Sequence, residues 1–61
     1  MKVRDVIKRL EADGWRQVTQ KGSHRQFTRP VKAGKVTVNG HPSDEISGGL
    51  LHSIWKQAGL Q

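Results

Sequence analysis

Apolar residues recur at i, i+3, i+4 and i+7 near both ends of the chain. Val3, Val6, Ile7 and Leu10 form the first stripe, and Leu51, Ile54, Trp55 and Ala58 the second. That spacing lines four side chains along one face of a helix. A helix with one apolar stripe owes most of its stability to whatever covers the stripe. In a chain of 61 residues the cover must come from the stretch between the helices, which predicts one domain over residues 1–61 around one core. The first helix is expected over roughly residues 2–13, with Gly14 as its stop. The second is expected to start from an N-cap at Ser47 and close at Gly59, with Leu50 beside the stripe and Leu60 folding back on Trp55.

The intervening stretch reads as strands. Trp15 to Gln20 carries Trp15, Val18 and Thr19, and Lys21-Gly22 supplies a tight turn. Ser23 to Arg29 follows directly. Alternation places Arg25, Phe27 and Arg29 on one face and His24, Gln26 and Thr28 on the other. Phe27 is the only apolar residue of that run, so its face is expected to meet the core. Pro30 and Gly34 bracket a loop, and Lys35 to Val38 forms a third strand with Val36 and Val38 inward. Asn39 to Ser47 is rich in loop-forming residues. The prediction is an α+β fold of order α-β-β-β-α: a three-stranded antiparallel meander with both helices on one face and the other face in water.

Charge narrows the partner. Eleven Lys and Arg stand against five Asp and Glu, a formal net charge of +6, which favours a polyanionic partner. Lys2, Arg4, Lys8 and Arg9 form one basic group on the first helix. Lys2 and Arg4 sit in its first turn, against the macrodipole, a conflict that points to use. Lys21, Arg25, Arg29, Lys32 and Lys35 form a second group around the strands. No stretch has the length of a membrane span, and Lys2, Arg4, Lys8 and Arg9 interrupt any signal-peptide core, so no membrane partner and a cytoplasmic location are expected. The free protein is expected to be a monomer.

The chain has no cysteine, which removes disulfides and thiolate metal sites. His24, His41 and His52 match no local zinc pattern, so neither a metal nor another cofactor is expected. No serine lies in a nucleophile elbow. His24 stands apart, because alternation turns it toward the open polar face with Lys21 and Arg25 as its neighbours in sequence. A solvated histidine beside cations suits proton transfer next to a phosphate. Trp15, Phe27 and Trp55 are assigned to the core, because so small a domain needs every large apolar group.

The run Lys21-Gly22-Ser23-His24-Arg25-Gln26-Phe27 resembles the HicA family of toxins. The likeness continues through Asp13-Gly14-Trp15, Val36-Thr37-Val38, His41-Pro42 and the closing Lys56-Gln57-Ala58-Gly59-Leu60. It implies an α-β-β-β-α domain like that of double-stranded-RNA-binding domains. It also implies an mRNA interferase, the toxin of a toxin–antitoxin pair, held inactive by a HicB-type antitoxin. The family's catalytic histidine, that of Gly-Ser-His, transfers to His24. Lys21 and Arg25 are candidate charge stabilisers from proximity, and Lys2, Arg4, Lys8, Arg9 and Lys35 are candidate RNA contacts. Two departures stand out. Many members carry a proline and a lysine just before the closing helix, where this chain reads Ile46-Ser47-Gly48-Gly49, and Gly40 separates the third strand from His41-Pro42.

Two functions lead, beside a third in which a toxin relic serves only as a protein-interaction module. The first is a metal-independent endoribonuclease that cleaves mRNA and so inhibits translation; it needs only a proton-transfer group and a charge for the phosphorane, because RNA supplies its own 2′-OH nucleophile. The alternative is a non-catalytic RNA-binding module of the double-stranded-RNA-binding class. That class places a lysine cluster at the start of its second helix, which Ser47-Gly48-Gly49-Leu50-Leu51 lacks.

Overall fold

The computed structural model describes residues 1–60. Its elements are α1 (Val3–Ala12), β1 (Arg16–Lys21), β2 (His24–Arg29), β3 (Lys32–Val38) and α2 (Gly48–Ala58). The strands form one antiparallel sheet in the order β1-β2-β3. Both helices cover one face of this sheet. The expected order and layering hold.

Between the layers lie Val3, Val6 and Leu10 of α1, Trp15, Phe27 of β2, Val36 and Val38 of β3, and Ile54 and Ala58 of α2, all buried. Ile7, Leu51, Trp55 and Leu60 are half-buried and pack against that centre. One core residue falls outside the sequence expectation. Ile46, in the segment read only as loop, is 3% exposed, and its N–H donates to the Met1 carbonyl at 2.7 Å. A short bridge between Lys2 and Glu45 carries Ile46 under the start of α1.

The helix ends explain their lengths. Lys2 caps α1 without a side-chain bond, and the first helical N–H groups find partners in the loop instead. Val3 N–H donates to the Asp44 carbonyl at 2.8 Å and Arg4 N–H to the Pro42 carbonyl at 3.0 Å, satisfying donors that a helix cannot satisfy itself. At the far end of α2, Gly59 N–H donates to the Lys56 carbonyl and Leu60 N–H to the Trp55 carbonyl at 2.8 Å, the paired bonds of a Schellman ending.

The third strand starts earlier than expected. The segment from Pro30 to Gly34 is not a loop, because Pro30 and Val31 alone make the turn and β3 begins at Lys32. Gly34 instead sits in an irregular stretch where the register jumps from Arg29↔Lys32 to Phe27↔Val36, so β3 absorbs extra residues in a bulge. A second irregularity lies in β1, where Gln17 pairs with Phe27 and Thr19 with Gln26. Val18 is the unpaired residue and is exposed.

The end of the sheet remote from the β1–β2 turn is tied by one carboxylate. Asp13 Oδ2 accepts from Trp15 Nε1 at 3.2 Å, Arg29 at 3.2 Å and Lys32 Nζ at 3.1 Å. Lys32 also donates to the Ala58 carbonyl at 2.8 Å. The ends of α1, β2 and α2 and the start of β3 thus meet around two side chains. The Lys32 hydrogen bond and the Arg29 charge hold the Asp13 carboxyl below its ordinary value, with burial opposing them.

Candidate functional site

The β1–β2 turn is a two-residue connection. Gly22 and Ser23 alone separate Lys21 from His24, and Gly22 has φ +59, a left-handed conformation that a side chain would strain. So tight a turn fixes the register. Lys21 pairs directly with His24, and Thr19 with Gln26. Directly opposed residues share a face with Cβ atoms about 5 Å apart, so Lys21 Nζ and the His24 imidazole project on the same side. On the other flank Gln26 pairs with Thr37 of β3.

That side is the face without helices. Thr19, Lys21, His24 and Gln26 line an open depression of about 450 Å³. His24 and Lys21 are exposed and Gln26 is half-buried. The imidazole therefore stands in solvent beside one ammonium group, and neither makes an ion pair among the described residues. The arrangement can move a proton at a phosphate and stabilise negative charge there.

Arg25 does not join them. It pairs with Gln20 and Val38, lies on the helix-facing side and is 7% exposed. One guanidinium nitrogen donates to the Gly40 carbonyl at 2.6 Å. The role expected for Arg25 as charge stabiliser at His24 is therefore corrected: sequence neighbours in a strand point to opposite faces. Its partner has a second tie to the site, because Gly40 N–H donates to the Ser23 carbonyl at 3.2 Å. The backbone N–H and C=O of Gly40 thus both engage the residues that flank His24. Gly40 has φ +107, and a Cβ there would meet Asp44 Oδ2 at 3.2 Å and Val3 Cγ2 at 3.4 Å. Glycine is the residue that fits. The clamp had one sequence signal, a glycine inserted between the third strand and His41-Pro42.

The remaining cations divide. Arg4, Lys8 and Arg9 are exposed on α1, in the helix layer, across the sheet from His24. Lys2 is engaged, with Nζ 3.2 Å from Glu45 Oε1 and 3.3 Å from the Ser43 carbonyl. That contact, with the Met1 amino group beside it, lowers the Glu45 carboxyl below its ordinary value. Lys35 is exposed in the β3 bulge, and Arg29 and Lys32 are taken by Asp13. Of the cations named from sequence, Lys21 alone lines the depression with His24.

His41 and His52 are exposed and lie on other elements. Among the described residues no group of three or more His, Asp or Glu side chains is arranged to hold a metal ion. No helix of the described residues is long and apolar enough to cross a membrane.

No curated protein matches the chain. The family model described as "HicA toxin of bacterial toxin-antitoxin" matches residues 3–60, a span that holds every element of the fold and the whole of the depression. The chain belongs to the HicA family of toxins of bacterial toxin–antitoxin systems.

Proposed function

We propose that the chain is a metal-independent endoribonuclease that cleaves mRNA in the cytoplasm, inhibits translation, and is silenced by a HicB-type antitoxin. The observation that carries the reading is the pairing of Lys21 with His24 on the open sheet face, in a depression that RNA can enter. The ribose 2′-oxygen attacks the adjacent phosphorus while its proton is removed, and the 5′-oxygen of the next nucleotide leaves and takes up a proton. The products are a 2′,3′-cyclic phosphate and a 5′-hydroxyl end. His24 carries one of these proton transfers, and Lys21 stabilises the charge that builds on the phosphorane oxygens.

The test is incubation of the wild type and His24→Ala with end-labelled mRNA in the presence of a chelator. Cleavage by the wild type, lost in a variant of equal melting temperature, supports the reading. Comparable cleavage by both proteins removes His24 from the chemistry. RNA binding without cleavage by the wild type indicates a binding module instead.

A further inference from the structure

Proteins that grip single-stranded RNA commonly stack its bases on exposed aromatic rings. The chain has three Phe, Tyr or Trp residues, and none of them lines the open face, where His24 supplies the one ring of the depression. Trp15 and Phe27 are fully buried, and Trp55 packs against the core from α2. Stacking on an imidazole tolerates any base, so discrimination between bases on the open face falls to hydrogen-bonding groups.

Gln26 is the amide placed to do it. Among the described residues the other glutamines are engaged. Gln17 donates to Gln20, Gln20 to the Gly22 carbonyl, and Gln57 donates to Ser53 and accepts from Thr37 N–H. The Gln26 side chain makes no hydrogen bond among the described residues. It is half-buried at the centre of the sheet, flanked in register by Thr19 and Thr37, so its backbone is held on both sides while its amide is unspent. It stands two residues from His24 on the same face, about 6.7 Å along the strand. That is about the reach from a phosphate at His24 to the base of an adjoining nucleotide.

We infer that Gln26 is the specificity-determining residue of this surface, reading the base of a nucleotide adjoining the scissile phosphate through its carboxamide. The inference rests on the ribonuclease reading of the site. A carboxamide sets a donor beside an acceptor and can pair with the matching edge of a base. The threonine hydroxyls on either side restrict which edge it meets.

The experiment reads binding rather than cleavage. Fluorescein-labelled hexanucleotides of adenosine, cytidine and uridine with 2′-O-methyl riboses, which lack the nucleophile, are titrated by anisotropy beside an abasic hexamer of equal charge. The wild type is expected to bind one of the three bases roughly tenfold or more tighter than the others. Gln26→Met, similar in length but without the amide, is expected to level that ranking and leave affinity for the abasic probe unchanged. Gln26→Glu, which trades a donor for an acceptor, is expected to reorder it. Equal wild-type affinity for all three bases overturns the inference. So does a ranking that survives Gln26→Met, or a loss by that variant that is as large on the abasic probe. His24→Ala is expected to keep the wild-type ranking. A ranking present in a protein that fails to cleave mRNA would therefore sink the catalytic reading alone.

Discussion

Arg25 separates two accounts of the same residue. If it touches RNA, replacing it removes a phosphate contact and leaves the fold alone. If it holds the Gly40 carbonyl, replacing it costs stability. Arg25→Met keeps most of the stem volume and deletes the 2.6 Å bond to Gly40. A hydrogen bond from a charged donor contributes about 1.5–3 kcal/mol. In a domain of this size each kcal/mol moves the melting temperature by about 4–8 °C, so a fall of roughly 6–24 °C is expected. His24→Ala, at an exposed position, is expected to melt with the wild type. Trp15 is fully buried, so its fluorescence reports unfolding in both. RNA affinity is measured alongside as a function of salt, where each phosphate contact to a single strand contributes about 0.7 to the slope. For Arg25→Met at a temperature where it is folded, the slope is expected to match the wild type. An unchanged melting temperature together with a slope reduced by about 0.7 would refute the clamp.

Gly40→Ala is expected to destabilise by about 1–3 kcal/mol, because it combines a positive φ with a Cβ pressed against Asp44 and Val3; chemical denaturation reads this directly. Lys21→Ala is expected to lower both the cleavage rate and the salt slope without moving the melting temperature, while Lys56→Ala does none of these. For Asp13 the folded-state pKa lies below the unfolded one, so its contribution is present above the unfolded value near pH ~3.9 and is lost as pH falls through the folded value. Wild-type melting temperature should therefore drop below about pH 4, and Asp13→Asn should start lower at pH 6 but fall less on acidification. Phe27→Ala empties the centre of the sheet's buried face and is expected to cost about 3–5 kcal/mol, enough to leave the chain largely unfolded by circular dichroism.

The fold was legible wherever periodicity met burial. Val3, Val6 and Leu10 are buried in α1 and Ile54 and Ala58 in α2, because a stripe on a two-layer domain has one place to go. The boundary that shifted did so where glycine was ambiguous. Gly34 reads as a loop by composition, yet in an antiparallel pair the same residue also accommodates a bulge, and only the pairing register distinguishes them. Ile46 was invisible for a related reason. A single apolar residue in a polar loop has no period, and its burial depends on a bridge between Lys2 and Glu45 that spans most of the chain.

The site was legible by parity and obscured by adjacency. Alternation alone set His24 and Gln26 on the open face and Arg25 with Phe27 on the covered one, and that is where the structure has them. Arg25 adjoins His24 in sequence, but the pleat turns the two side chains to opposite faces. The same logic applies to the net charge. A value of +6 is a property of composition, whereas an active site sees only the charge on its own face. Asp13 and Glu45 between them engage Lys2, Arg29 and Lys32. Arg4, Lys8 and Arg9 are left on the helix layer and Lys21 on the open sheet. The α1 cations do not line the depression, and between exposed charges the interaction decays over a Debye length of about 8 Å at physiological salt. On the ribonuclease reading they would speed the encounter with RNA but would not stabilise a phosphorane. An acidic inhibitor that engages only α1 would therefore slow RNA capture and leave the chemistry intact. Complete silencing requires cover over β1 and β2 at Lys21 and His24, and hydrogen exchange at those strands in the toxin–antitoxin complex is the measurement that separates the two modes.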